Sequence, residues 1–259
     1  MRVILNADDF GSSEDTVAAT IECFEQGALT SATIMPGMPA TDQALEFARS
    51  RPDLSFGVHL TLVGDGTERP IADTAAVPGL TREDGTLLPT RTLRLRALAH
   101  SLPREQLDLE LTAQIELVRS AGVPVSHVDS HRHVHKLPAV RNALARVLPS
   151  FGIRLVRNVQ DVYLRRPLKS PTYWLGPLWR RQLMGRFTTT THFYMPTSAA
   201  DEGWPDRLLE VSANLGGSLE VGVHPGYEDE WRNGERLSVL EFAHRARERG
   251  DELSGWRSE

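Results

Sequence analysis

Short apolar runs alternate along the chain with longer segments whose apolar residues recur at helical spacing. The short runs are typical of buried strands, and the longer segments are typical of amphipathic helices. The predicted strands are residues 2–7, 30–35, 54–62, 125–130, 153–157, 191–195 and 218–223. The predicted helices are residues 12–26, 40–49, 104–120, 138–148, 205–214 and 239–249. Ser12 or Ser13 is the expected N-cap of the first helix, and Gly27 is expected to end it.

Strands that alternate with helices predict a parallel sheet with right-handed crossovers. About seven such units in 259 residues suit a closed or nearly closed barrel. An open, doubly wound sheet is the alternative. Neither an internal repeat nor an interdomain linker is visible, so one domain is expected over residues 1–259. The connector at residues 64–103 is long enough to suggest a functional loop.

Composition narrows the class of protein. Apolar residues make up 40% of the chain and charged residues 24%, as in ordinary globular proteins. The formal net charge of −5 argues against general binding of nucleic acid, which needs a basic face. The single cysteine, Cys23, cannot form an internal disulfide and is expected in the core. No apolar run approaches the roughly 20 residues of a transmembrane helix, and no signal peptide is visible. A cytoplasmic enzyme is therefore expected.

Unusual polar residues occur where the predicted strands end. Asp8 and Asp9 follow the first strand, His59 lies late in the third, and His224 follows the last. The carboxyl ends of parallel strands converge on one face, where ligands bind. Taken singly, each residue has a simpler interpretation, because an Asp at such a turn can cap a helix and a His among apolar residues is usually a core residue. Their joint placement favours a site.

The run His127-Val-Asp-Ser-His-Arg-His-Val-His135 places a polar group at every second position. A strand that continued through this run would place all five groups on one face. Burying them there away from water, a metal or each other would cost free energy. A solvated edge strand or an adventitious chelate is the alternative interpretation. We favour a metal site, because two His and one carboxylate leave coordination positions open for water and substrate. Zn²⁺ suits such a set, and Mn²⁺, Fe²⁺, Co²⁺ or Ni²⁺ can replace it, whereas Mg²⁺ prefers more oxygen ligands.

Four motifs occur along the chain in the order Asn6-Ala-Asp-Asp-Phe-Gly11, Gly57-Val-His-Leu60, the run from His127 to His135, and His224-Pro-Gly226. In sequence and in order they resemble the motifs of the YdjC-like carbohydrate deacetylases, which include chitooligosaccharide deacetylases. The resemblance implies a deformed (β/α) barrel of about seven parallel strands, related to polysaccharide deacetylases.

The resemblance also implies roles for individual residues. The metal ligands would be Asp9, His59 and His131, Asp8 would be the catalytic base, and His224 would fit a proton donor. Further residues are expected to orient the ligands or the substrate, namely His127, Asp129, His133 and His135. Arg132 and Thr61 stand where His and Asn are common in the family, which leaves the substrate open.

The implied reaction is removal of an N-acetyl group from an amino sugar, an acetylated oligosaccharide or a glycolipid by water activated on one divalent metal. A metal-dependent phosphoesterase is one alternative, although it would usually need two metals and more bridging carboxylates. A non-catalytic protein that binds sugar or metal on the same fold is another.

An aromatic and basic insert at about residues 161–187 is predicted to be irregular. Its basic residues are Arg165, Arg166, Lys169, Arg180, Arg181 and Arg186, and its aromatic residues include Tyr163, Tyr173, Trp174 and Trp179. It could form a lid over the active face, a contact in a homodimer, or a surface for an anionic or lipid-linked substrate. Lid or partner contact is favoured, because long segments with their own aromatic residues usually pack.

Overall fold

The computed structural model describes residues 1–196 and 203–256. The strands are β1 (Arg2–Phe10), β2 (Ser31–Ile34), β3 (Ser55–Leu60), β4 (Val125–Ser130), β5 (Leu155–Val156), β6 (His192–Tyr194), β7 (Ser218–Val223) and β8 (Glu252–Leu253). The helices are α1 (Glu14–Glu25), α2 (Thr41–Ser50), α3 (Thr90–Leu98), α4 (Arg104–Ser120), α5 (Pro138–Val147), α6 (Pro171–Met184), α7 (Trp204–Ser212) and α8 (Glu230–Glu248). Short 3₁₀ turns cover Thr74–Ala76, His131–Lys136 and Leu148–Phe151.

Seven parallel strands in the order β5-β4-β3-β2-β1-β7-β6 form a curled half-barrel with helices around it. The short β8 pairs with the start of β1. The two ends of this order, β5 and β6, are joined by scattered bonds rather than by a regular ladder. The amide of Val156 donates to the carbonyl of Thr188 at 3.0 Å, and that of Asp161 donates to Phe193 at 3.2 Å. The predicted deformed barrel of about seven strands is confirmed.

The alternation of β1 separates two environments. Val3, Leu5 and Ala7 join the main core cluster between the sheet and the helices. On the opposite face, Ile4 packs with Leu155 and Trp256 at the amino-terminal end of the barrel. Farther along the same face come Asn6 and Asp8, so the inner face changes from apolar to polar towards the carboxyl ends of the strands.

Several elements differ from the sequence prediction. α3 lies in the connector expected as a loop, and β8 was not predicted. Three further differences concern β1, the insert and the last helix. β1 continues through the predicted turn to Phe10, because β2 pairs with it as far as Phe10. The insert is not irregular, since α6 occupies its second half and buries Trp179 and Leu183 one turn apart. The last helix begins at Glu230 rather than Val239, because its first turns are polar and lack an apolar repeat.

The connector at residues 64–103 is tied down by polar side chains of α4. Glu110 accepts the amides of Ile71 and Ala72 at 2.9 Å each, and Gln106 accepts the amide of Gly79 at 2.6 Å. These contacts anchor backbone donors that a mobile loop would leave to water. Among the residues described, no helix is both long and apolar enough to cross a bilayer. Cys23 is buried as predicted, and burial raises the pKa of its thiol to about 12.

Candidate active site

A bulge at the end of β1 positions the two adjacent aspartates. The pairing of β1 with β2 shifts register between Ala7 and Phe10, and Asp9 has a φ of 57°. A residue other than glycine seldom adopts this left-handed conformation, and such strain is concentrated at functional sites. Without the bulge, neighbouring side chains would point to opposite faces of the sheet. Here both carboxylates lie near His59.

Asp9, His59 and His131 converge on one point. The Oδ1 atom of Asp9 lies 3.3 Å from Nε2 of His59 and 3.1 Å from Nδ1 of His131. The three candidate ligand atoms all lie within 4.8 Å of one another, although they come from three different strand ends. One carboxylate and two imidazoles fit a divalent metal with coordination positions left open for water and substrate.

His131 reaches this point because β4 stops at Ser130. The chain then turns through His131–Lys136, where Arg132 and His133 have φ angles of 55° and 53°. The strand period that would place five polar groups on one face therefore ends before the third of them. The turn directs the histidines of the run into different surroundings.

The carboxylate of Asp129 orients His59. Its Oδ1 atom lies 2.7 Å from Nδ1 of His59, and its Oδ2 atom accepts the hydroxyl of Thr33 at 3.1 Å. This contact leaves Nε2 of His59 directed at Asp9. Burial disfavours the imidazolium, but the charges of the surrounding aspartates outweigh it and raise the pKa of His59 to about 10. A metal needs the neutral imidazole, so binding there would release a proton.

Arg157 directly follows β5 and is fully buried. It contacts three buried carboxylates. It donates to both oxygens of Asp8 at 2.5 and 2.7 Å, lies 2.7 Å from Asp129, and donates to Glu220 at 2.7 Å. Burial would raise the pKa of Asp8, but Arg157 outweighs it and holds that pKa well below its usual range. For Glu220, the effect of burial is larger than that of Arg157 and raises the pKa of the carboxyl to about 8.

His224 follows β7, beside the end of β1, because Val223 pairs with Ala7. Glu235 of α8 accepts the amide of His224 at 2.7 Å, and the same oxygen lies 3.1 Å from Nδ1 of the ring. Burial lowers the pKa of His224, but the negative charge of Glu235 has the larger effect and raises it. A histidine held in this way favours the protonated form.

The other histidines of the run contact neither Asp9 nor His59. His127 stacks on Trp256 with ring centroids 4.7 Å apart, at the apolar end of the barrel. His135 lies 2.8 Å from the hydroxyl of Ser130, and His133 lies 3.2 Å from the sulfur of Met195. Burial lowers the pKa of all three, which favours neutral rings. Their roles in orienting ligands or substrate stay predictions.

A cavity of about 320 Å³ adjoins this turn. His133 and His135 line it together with Arg94, Lys136 and the ring of Tyr163. Burial lowers the pKa of Lys136 to about 8. The cavity is thus basic and aromatic, with one wall built from the turn that carries His131.

Four charged residues around the site were missed from the sequence, namely Arg157, Glu220, Arg232 and Glu235. Arg157 ends a predicted strand, and Glu220 interrupts an apolar one, so the placement argument applied to Asp9 could have found both. Arg232 donates to Oδ2 of Asp9 at 2.9 Å from the first turns of α8. No pattern in the sequence points to this contact or to that of Glu235, because the helix was predicted to begin later.

Comparison with known proteins supplies the family. The model of a family described as YdjC-like protein matches residues 2–259. A carbohydrate deacetylase of Brevibacillus brevis is 31% identical over 257 residues, which are 98% of this chain and 90% of that protein. A carbohydrate deacetylase of Geobacillus stearothermophilus is 31% identical over 228 residues, 87% of this chain and 80% of that protein.

Among solved structures, a proposed cellobiose-phosphate cleavage protein of Enterococcus faecalis has the same fold. Its TM-score is 0.79 at 24% sequence identity, and the match covers 98% of this chain and 97% of that chain. The resemblance drawn from the four motifs is confirmed by the family model and the curated relatives: the chain belongs to the YdjC-like protein family.

Proposed function

We propose that this protein is a metal-dependent carbohydrate N-deacetylase, a hydrolase that removes an N-acetyl group from an amino sugar, an acetylated oligosaccharide or a glycolipid. The observation that carries the proposal is the convergence of Asp9, His59 and His131 on one point. The names of its relatives, which are carbohydrate deacetylases, support the choice of substrate class.

One divalent ion would be held by Asp9, His59 and His131, with Zn²⁺ the best match to the donor set and Mg²⁺, Mn²⁺, Co²⁺ or Ni²⁺ as other candidates. Such an ion supplies Lewis acidity, which polarises an acetyl carbonyl and lowers the pKa of water. Neighbouring side chains orient two of the proposed donors. Asp129 orients His59, and Arg232 holds the second oxygen of Asp9, so that its Oδ1 faces the imidazoles.

Asp8 and His224 would carry the two proton transfers. Water attacks the carbonyl carbon of the acetyl group, and its proton passes to Asp8, which Arg157 keeps ionised and fixed. His224, which Glu235 keeps protonated, donates its proton to the nitrogen as the C–N bond breaks. The products are acetate and the free amine.

A phosphoesterase with two metals is less consistent with this geometry. A second group of possible ligands exists at Asp8, His59 and Asp129. Arg157 already neutralises both of these carboxylates at hydrogen-bonding distance, and a second cation would have to displace it from a fully buried position.

The test combines metal content with acetate release. The purified chain should contain one metal per molecule in native mass spectrometry and should release acetate from a panel of N-acetylated sugars with metal added back. Asp9→Ala should remove both metal and activity, because it deletes the ligand that both imidazoles face. The exposed Asp53→Ala is the matched control and should retain both.

Chelation by EDTA separates the candidates further. Acetate release that survives complete removal of metal would contradict the proposed mechanism. Two metals together with release of phosphate from sugar phosphates would indicate the phosphoesterase. Bound metal without any turnover across the panel would indicate a non-catalytic protein.

A further inference from the structure

The chain concentrates positive charge in one stretch. Residues 162–196 contain six Arg or Lys and no Asp or Glu. The formal net charge of −5 therefore divides into +6 for this stretch and −11 for the rest, which has 23 basic against 34 acidic residues. We call residues 162–186, which hold all six cations, the basic segment.

The helix α6 within the basic segment turns apolar residues outward as well as inward. Its inner face buries Trp179 and Leu183. On its outer face Trp174 is 65% exposed and Leu178, one turn later, is 52% exposed. Leu168 in the preceding loop is 58% exposed. A helix on the surface of a globular protein normally presents polar residues to water, so this outer face needs a partner.

The cations beside this face are available for a partner. Arg165, Arg166, Lys169 and Arg181 are exposed, and none of them has an acidic partner within residues 1–196 and 203–256. Among the residues that the structure describes, Arg180 is the one member of the segment that faces an acid, with its Nε atom 3.5 Å from Asp161. Surface cations of soluble proteins are usually interspersed with acids, and here they are not.

The basic segment also lies close to the candidate active site. Its exposed groove, of about 910 Å³, is lined by Tyr163 and Tyr173 together with Arg166, Trp174 and Arg181. Tyr163 and Tyr173 also line the cavity that contains His133 and His135. The groove on the basic segment and the cavity beside the turn that carries His131 thus share these two rings.

From these observations we infer that the basic segment docks on the surface of an anionic phospholipid membrane. Outward Trp and Leu side chains insert into the boundary between headgroups and acyl chains, and the flanking cations pair with lipid phosphates. A second copy of the chain is the competing partner, and charge disfavours it. A two-fold interface brings the same patch of both copies together, so cation would face cation. The inference does not depend on the proposed reaction.

The test is flotation of the whole chain with vesicles. Vesicles of phosphatidylcholine with about 30 mol% phosphatidylglycerol should retain the protein at low salt, and vesicles of phosphatidylcholine alone should not. Substituting Arg165, Arg166 and Lys169 together by Ser should lower the partition coefficient about a hundredfold, since each cation near the surface is worth roughly a factor of five. Leu178→Ser should weaken retention further without affecting the fold, because its side chain is exposed.

Matched substitutions elsewhere control for a general loss of charge or apolar surface. Leu237→Ser on α8, which is 53% exposed, and Arg91→Ser on α3 should leave retention unchanged. Failure of anionic vesicles to retain the wild-type chain would overturn the inference. Equal loss in the control variants would do the same. A dimer in light scattering that Leu178→Ser dissociates, with no retention on vesicles, would assign the face to a second copy instead.

Discussion

Two charged regions of this protein are organised in opposite ways. At the carboxyl ends of β1, β3 and β4, charges are buried and each contacts an opposite charge at a defined distance, as Arg157 does with Asp8 and Asp129. In the basic segment, charges of one sign are mostly exposed, and most of them have no acidic partner within the described part of the chain. The first region can hold reacting groups in place, because buried charges whose ion pairs and hydrogen bonds are all formed have a fixed position.

The contrast predicts different responses to substitution. In the buried cluster, one change should remove a specific function or destabilise the fold, since every member has partners that depend on it. In the basic segment, effects should be small individually and should accumulate with the number of charges removed. Each experiment below pairs a variant in the cluster with a variant in the segment.

The largest effect is expected from Arg157→Met, which retains much of the volume but leaves Asp8, Asp129 and Glu220 without their cation. Removing one partner of a buried ion pair costs about 3–5 kcal/mol in the free energy of unfolding. The exposed Arg181→Met should change it by less than about 0.5 kcal/mol. Urea denaturation of metal-free protein measures both. Equal losses in the two variants would show that the cluster is not the more tightly coupled region.

Asp8→Asn should lower kcat about a hundredfold or more while leaving one metal bound, because the amide keeps the shape of the side chain but cannot accept a proton. Asp9 and both imidazoles remain in place to hold the ion. In the basic segment, Arg181→Gln also removes one charge and should leave kcat on a soluble substrate unchanged. Full turnover by Asp8→Asn would exclude Asp8 as the base, and loss of metal would make it a ligand.

Sequence patterns succeeded where one local rule decides the structure. The bounds of α4 and β4 were predicted to the residue, because periodicity and the flanking Pro and Gly residues agree there. The gathering of Asp9, His59 and His131 also followed from sequence, since parallel strands must bring their carboxyl ends to one face.

The misses have tertiary causes. The bulge at Asp8 and Asp9 depends on how β1 pairs with β2, so local propensity does not reveal it. The helix α6 was missed because apolar residues lie on its exposed face and because Gly176 and Pro177 interrupt the pattern. The contact of Glu235 with His224 depends on where α8 lies against β7, and nothing within either segment indicates that distance.

The smallest effect should come from Glu235→Gln, and its value lies in its pH dependence. Glutamine can still accept the amide of His224, so the loop should keep its position, but the charge that favours the imidazolium is removed. With its pKa raised, His224 is protonated at low pH and loses its proton as the pH rises through that pKa. A donor must be protonated, so activity should fall on the alkaline side, and Glu235→Gln should move this fall to lower pH. The rate of Glu235→Gln should therefore approach that of the wild type as the pH is lowered and should fall increasingly below it as the pH rises. Profiles of kcat against pH for the wild type, Glu235→Gln and Arg181→Gln measure the difference.

A shift of the same size in Arg181→Gln would trace the effect to overall charge and would remove the distinction between the buried cluster and the basic segment. An alkaline limb that does not shift in Glu235→Gln would mean that His224 is not the donor.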